Sequence, residues 1–134
     1  MTTSQPAAAA FRLRKHADYQ RVYKASRKQF SRQMTYFFML RAGEEGAPRV
    51  GLTVGKVMGK AVERNRIKRR MREAVRRNLT LLTLPVDVVL HPRRSVIDLE
   101  FAILEREVAQ VFRAVQKAAE ASHSTDAPRP ATGN

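Results

Sequence analysis

The chain contains no cysteine and few acidic residues, and it has no long hydrophobic run. Without cysteine, a disulfide framework, a thiolate metal site and a cysteine nucleophile are all excluded, and a reducing cytosol is a natural setting. No apolar run approaches the roughly 18 residues of a membrane span, and the stretch Ala7 to Ala10 is too short for a signal-peptide core. We therefore expect a soluble, cytoplasmic protein.

The scarcity of acidic residues leaves a large positive charge. Asp and Glu total 12 against 26 Lys and Arg, which gives a formal net charge of +14 over 134 residues. The excess lies in two blocks, because residues 11–41 hold nine basic and one acidic side chains and residues 56–77 hold ten and two. Surfaces that only need solubility mix both signs. The blocks indicate a polyanionic partner, with nucleic acid favoured and an anionic membrane surface as the main alternative.

Hydrophobic periodicity predicts one domain with alternating elements. The predicted order is helix 16–25, a short strand near 27–31, strands 34–41 and 49–54, helix 60–82, strand 86–90 and a last helix from about residue 98. The spacing of the second and third strands suggests an antiparallel hairpin, and Asp98 is a candidate N-cap. The fold class is α+β: a two-layer α/β sandwich with a mixed sheet, whose helices cover one sheet face.

Both ends of the chain are small and polar. Residues 1–10 and 121–134 lack large apolar side chains in any regular pattern, which predicts disordered tails. The folded domain is then expected over residues 11–120. No repeat period is present.

The second basic block predicts an RNA-binding helix. At about 100° per residue, Arg64, Lys68, Arg72 and Arg76 form one ridge that continues to Arg69, while the apolar side chains form a narrow buried stripe of Ile67, Met71, Ala74 and Val75. Glu73 is within i,i+4 reach of Arg69 and Arg77, which predicts pairs that hold their guanidinium groups in place. A solvated charged face is the ordinary explanation of such a run. However, like charges four residues apart destabilise a helix unless an anion relieves them, which favours a phosphate-binding face.

Charge alone leaves RNA and DNA open as partners. A helix-turn-helix reader needs a helix just before the recognition helix, but here a strand and the turn Gly55 to Gly59 precede it. The aromatic residues Tyr19, Tyr23 and Phe37 suit the stacking of unpaired bases, with core packing as the alternative. A basic DNA-binding or architectural protein remains the second hypothesis.

The segment Gly51 to Glu73, with Arg64-Asn65-Arg66-Ile67-Lys68-Arg69 at its centre, closely resembles the signature of the bacterial ribonuclease P protein family. Leu13 to Lys24 resembles the first helix of that family, and Asp87 to Arg93 resembles its strand after the basic helix. The resemblance covers about Phe11 to Lys117. Two positions depart from the family pattern: Ala25-Ser26 replaces a common glycine, and Lys60 replaces a common asparagine.

The resemblance implies a left-handed strand-helix-strand crossover, against the usual preference. It also implies the subunit of a ribonucleoprotein endonuclease that removes the 5′ leader of precursor tRNA by hydrolysis. The catalytic RNA would carry the chemistry with Mg2+, held mainly by RNA and substrate. The partners would be that RNA and precursor tRNA, with one protein copy in the complex.

Residue roles follow from the same resemblance and the ridge. The residues predicted to bind the catalytic RNA are Arg64, Asn65, Arg66, Lys68, Arg69, Arg70, Arg72 and Arg76. Those predicted to form the cleft for the single-stranded leader are Tyr19, Tyr23, Phe37 and Lys56, the last near its rim.

The sequence offers no catalytic or metal-binding constellation in the protein itself. A protein nuclease needs clustered carboxylates for a metal, or an acid and a base close together. The histidines His16, His91 and His123 lie far apart in sequence, and Asp87 has no acidic neighbour on its strand. We predict that each histidine is structural or solvated and that the protein positions RNA rather than cleaving it.

Overall fold

A computed structural model describes residues 11–41 and 46–126 of the chain. The predicted N-terminal tail 1–10 lies outside the described residues, as do residues 127–134 of the C-terminal one. The elements are α1 (His16–Ala25), β1 (Gln29–Phe30), β2 (Met34–Leu40), β3 (Arg49–Leu52), α2 (Ala61–Asn78), β4 (Val86–Pro92) and α3 (Phe101–Asp126). The predicted α+β class and element order are confirmed.

The four strands form one mixed sheet in the order β1-β2-β4-β3. β2 pairs antiparallel with β1 and β4, and β3 pairs parallel with β4. The predicted hairpin between the second and third strands is therefore wrong, because β4 lies between them. All but one of the β4 residues are buried, and a nearly continuous apolar run such as Val86 to Leu90 is typical of a strand with neighbours on both sides.

The helices lie on both faces of the sheet. α2 and α3 pack over one face, where the main core includes Met34, Val88 and Leu90 together with Ile67 and Phe112. α1 packs on the other face in a smaller cluster around Leu13, Val22 and Val89. The expectation that all helices cover one face thus holds for α2 and α3 but not for α1. The alternation of side chains along β4 separates the two clusters.

α2 connects the parallel strands β3 and β4, which confirms the predicted crossover connection; its left-handedness stays a prediction. The stripe Ile67, Met71, Ala74 and Val75 is buried as predicted. α2 ends at Asn78, and a 3-10 helix Leu79–Leu81 completes the segment expected to reach residue 82.

The last helix differs from its prediction at both ends. It begins at Phe101 rather than at an Asp98 cap, because the Asp98 amide closes the preceding 3-10 helix Arg94–Ile97 by donating to the Ser95 carbonyl at 3.3 Å. It ends at Asp126, past the predicted domain end at residue 120, since alanines and glutamate favour continuation of the helix. None of the described helices is long and apolar enough to cross a membrane.

Candidate nucleic-acid interface

The surface of α2 opposite its buried stripe carries the predicted RNA-binding side chains. Asn65, Arg66, Arg69, Arg72 and Arg76 are exposed, and the half-buried members of the set are Arg64, Lys68 and Arg70. The apolar stripe of α2 packs on the core, so the exposed cationic side chains are directed away from it. The ridge, by which we mean Arg64, Lys68, Arg69, Arg72 and Arg76, has the form that the sequence predicts.

Two members of the predicted set also hold α2 in place. Arg66 Nε donates to the Ile97 carbonyl at 3.2 Å, and Arg70 Nε donates to the Val96 carbonyl at 3.0 Å. Arg70 donates further to the Leu99 carbonyl, and its guanidinium carbon lies 6.0 Å from the centroid of the Phe101 ring. Arg70 therefore ties α2 to the start of α3, a structural role that the angular pattern did not indicate.

Glu73 organises the C-terminal part of the ridge. It accepts hydrogen bonds from Arg76 Nη2 at 2.6 Å and Arg77 Nε at 2.8 Å, which lower the pKa of Glu73 to about 2. The prediction of a pair with Arg77 is confirmed, whereas the pair with Arg69 is wrong because Arg76 occupies the carboxylate instead. Arg69 is left to face a cavity beside the helix.

The N-terminus of α2 is capped despite the lysine at position 60. The Lys60 amide donates to Glu63 Oε1 at 2.8 Å, and Arg94 Nη2 donates to Glu63 Oε2 at 2.9 Å. Gly59 has φ of +132°, and a Cβ there would clash with Glu63 and Arg94. Arg64 Nε donates to the Gly59 carbonyl at 3.1 Å. This turn fixes the direction in which the ridge begins.

The predicted cleft aromatics lie together on the sheet face that α1 covers. The rings of Tyr23 and Phe37 are 4.9 Å apart in an edge-to-face arrangement. Tyr19, Tyr23 and Phe37 are half-buried and pack against the smaller core cluster. The stacking and core-packing interpretations are therefore compatible, because each ring uses part of its surface for packing and leaves part exposed. Lys56 is exposed, in the 3-10 helix Lys56–Met58 after β3.

Tyr19 is fixed by backbone contacts. Its hydroxyl donates to the Leu13 carbonyl at 3.1 Å and approaches the Leu52 carbonyl at 3.5 Å. Burial raises the pKa of Tyr19. The ring lies so close to Gly51 that any Cβ there would clash with it. The glycine thus admits the aromatic ring to the edge of the sheet.

Sequence reasoning did not assign His91 and Thr53 to this cleft. The Tyr23 hydroxyl lies 3.0 Å from His91 Nε2 and 3.2 Å from Thr53 Oγ1. Burial, and next the charge of Lys28, lower the pKa of His91. The sequence feature that could have assigned His91 to the cleft is the alternation of side chains along β4, which places His91 on the same face as Val89. The prediction of a structural or solvated histidine did not include a place among the aromatic residues.

Part of the first basic block, together with Arg49 beyond it, is neutralised inside the fold. Asp87 is fully buried and binds Arg41 Nη1 at 2.5 Å and Arg49 Nη2 at 2.8 Å. Arg49 also lies 3.5 Å from Asp18, which binds Arg21 at 2.8 Å. Arg41 and Arg49 therefore fasten α1, β3 and β4 together. The number of cations that residues 11–41 can offer to a partner is therefore smaller than their sequence indicates.

The chain also presents few groups for chemistry of its own. Within residues 11–41 and 46–126, no three His, Asp or Glu side chains come together as a candidate metal site. His16 is exposed on α1, whereas His91 is on β4. The ridge and the cleft can bind, screen and orient a polyanion.

Comparison with known proteins agrees on one family. The family model described as Ribonuclease P matches residues 8–116. The ribonuclease P protein component of Finegoldia magna is 36% identical over 102 residues, covering 76% of this chain and 88% of its own. That of Bacillus velezensis is also 36% identical, covering 76% and 86%. The structure of the Staphylococcus aureus RNase P protein is 28% identical, with a TM-score of 0.67 over 80% of this chain and 96% of its own.

Proposed function

Since the chain belongs to the ribonuclease P protein family, we propose that it binds the catalytic RNA of ribonuclease P and assists removal of the 5′ leader from precursor tRNA. Its family makes it part of an endoribonuclease with an RNA subunit. The proposal concerns how this chain contributes: the ridge contacts the catalytic RNA, and the aromatic cleft receives the single-stranded leader.

The ridge is the observation that carries the proposal. In the part of the chain that the structure describes, no carboxylate lies within ion-pair distance of Lys68, Arg69 or Arg72. Their mutual repulsion is relieved when phosphates bind between them, and the counterions that RNA releases add to the affinity. Arginine forks also make bidentate contacts with phosphate oxygens.

The composition of the cleft supports its proposed role in binding the leader. Tyr23 and Phe37 present aromatic surface beside the polar groups of His91 and Thr53. Aromatic faces bind unpaired bases of any sequence, whereas paired bases in mature tRNA are already stacked. Lys56 supplies a cation for the leader backbone near the end of β3.

We also propose that Mg2+ acts on the RNA side of the complex. The described residues hold no cluster of carboxylates fit to bind the ion, while RNA phosphates are natural oxygen ligands for it. When bound there, Mg2+ would activate water and stabilise the leaving oxygen. The protein's contribution is positive charge that screens phosphate repulsion and thereby lowers the Mg2+ concentration needed.

The proposed complex holds one copy of the chain. A net charge of +14 opposes self-association in the absence of RNA. The cytoplasmic location stays a prediction from the sequence.

A competition assay tests the proposal against a DNA-binding role. The chain, bound to labelled catalytic RNA at physiological salt, is challenged with unlabelled catalytic RNA or with duplex DNA of equal phosphate content. We expect the RNA to compete at far lower concentration, because the ridge is proposed to fit the folded catalytic RNA. Equal competition by the duplex, or a preference for one DNA sequence, would replace the proposal with a DNA-binding function.

A further inference from the structure

The cavity that Arg69 faces lies at the β3 edge of the sheet, beside the ridge and away from Tyr23 and Phe37. Its volume is about 480 Å3, within the range of small-molecule pockets. The segment before α1 forms one wall: Arg12 pairs with Val50 in a parallel bridge, and the Leu13 amide donates to the Val50 carbonyl at 3.0 Å. α2 forms the opposite wall. We call this space the edge cavity.

The interior of the edge cavity is apolar. Phe11, Leu13, Val50 and Val75 line it and are all buried within the protein. Tyr19 also lines it, with its ring over Gly51. Such a surface favours a flat, weakly polar group and offers nothing to an isolated inorganic anion.

The rim of the edge cavity is strongly cationic. Arg12, Arg14, Arg69 and Arg72 line it, and within the described residues none of these four has an ion-pair partner. The single lining carboxylate, Glu73, is already bound to Arg76 and Arg77. Burial, and next the charge of Arg12, lower the pKa of Arg72. A bound anion would relieve the repulsion between these guanidinium groups.

An apolar interior under a cationic rim fits a ligand that is flat and apolar at one end and anionic at the other. We propose that the edge cavity binds one unpaired nucleotide, with its base against Leu13, Val50 and Val75 and its flanking phosphates on the rim arginines. The inference rests on the proposed RNA-binding function and adds to it a nucleotide site at the β3 edge, which shares Tyr19 with the aromatic cleft but lies away from Tyr23 and Phe37. The nucleotide can come from the catalytic RNA or from the precursor.

Methyl NMR on the intact chain tests the site directly. The probe is a five-residue oligouridylate, and its control is an oligomer of abasic ribose phosphate of equal length. The methyl groups of Leu13, Val50 and Val75 should shift strongly with the oligouridylate, because a base ring lies over them, and weakly with the abasic oligomer. No shift with either oligomer, or equal shifts with both, would overturn the proposal.

A charge-matched pair of variants separates the edge cavity from general electrostatics. Arg12→Gln combined with Arg14→Gln removes two rim cations outside the ridge, and Arg113→Gln combined with Lys117→Gln removes two exposed cations of α3. The first pair should weaken oligouridylate binding about tenfold or more for each lost contact, and the control pair should do so much less. Equal losses in both variants would overturn the proposal.

The same variants identify the source of the nucleotide. A loss confined to binding of the catalytic RNA assigns it to that RNA, and a loss confined to leader-bearing precursor on the assembled holoenzyme assigns it to the leader. Unchanged binding of both overturns the site. Because the NMR experiment needs neither RNA subunit nor cleavage, its failure would leave the proposed function standing, and the two failures are distinguishable.

Discussion

The Tyr23 hydroxyl on α1 lies 3.0 Å from Nε2 of His91 on β4, although 68 residues separate them in sequence. The contact fastens the first helix to the central strand through the aromatic cleft. The His91 ring also lies 5.4 Å from the ring of Phe37. A titratable group thus stands among the side chains proposed to receive the leader.

Protonation of His91 should make folding stability depend on pH. Burial and Lys28 lower its pKa in the folded chain, so the unfolded chain binds this proton more readily. The contribution of neutral His91 to the free energy of unfolding is therefore fully present above the unfolded pKa of about 6.5. It is lost as pH falls through the lower pKa of the folded chain. Urea unfolding between pH 7.5 and 5 should show a smaller loss of stability in His91→Gln than in the parent chain. Identical pH profiles would contradict this.

The cleft aromatics should discriminate precursor from mature tRNA. Tyr23→Ala removes a stacking surface, so we expect binding of leader-bearing precursor to the holoenzyme to weaken by roughly 1–3 kcal/mol. Tyr19→Ala should act in the same direction. Mature tRNA, which has no leader, should bind nearly as before. Tyr23→Phe keeps the ring and serves as the control; equal losses for both tRNAs would favour a packing role alone.

The ridge should set the salt dependence of RNA binding. Replacing Arg64, Lys68 and Arg72 by Ala removes three phosphate contacts, and each lost contact lowers the slope of log K against log salt by somewhat under about one unit. We expect a slope reduced by roughly two to three units. The control replaces three exposed cations of α3, Arg106, Arg113 and Lys117. An unchanged slope in the ridge variant would remove the ridge from the interface.

The buried carboxylate Asp87 should be required for stability. Asp87→Asn removes the buried carboxylate that Arg41 and Arg49 share, and breaking a buried pair in this way costs about 3–5 kcal/mol. Urea unfolding measures the loss. The exposed Asp98→Asn is the matched control and should stay within about 0.5 kcal/mol of the parent. A loss of similar size in both variants would show that the buried cluster contributes little.

Periodic patterns predicted the helices well because each pattern is local. The stripe Ile67, Met71, Ala74 and Val75 is set by spacing along one helix, and its burial follows. The strand partners are not local. The hairpin prediction failed because β4, distant in sequence, pairs with both β2 and β3, and only the nearly continuous apolar run of Val86 to Leu90 hinted at a central strand.

The candidate site shows the same difference between local patterns, which the sequence predicts, and contacts between distant residues, which it does not. The charge of the ridge is visible in the sequence, but the geometry of each guanidinium depends on tertiary neighbours. Arg70 donates a hydrogen bond to the Val96 carbonyl just before α3, and Glu73 forms an ion pair with Arg76 and not with Arg69. His91 and the edge cavity depend on contacts between distant segments, which residue spacing does not encode.

Cleavage of precursor tRNA at low Mg2+ concentration tests the central claim most directly. A bacterial ribonuclease P RNA is incubated with precursor tRNA alone, with the chain, or with the ridge variant lacking Arg64, Lys68 and Arg72. We predict that the chain raises the rate of 5′ leader removal well above that of the RNA alone and that the ridge variant loses most of this gain. A rate that the chain leaves unchanged at every concentration would contradict the claim.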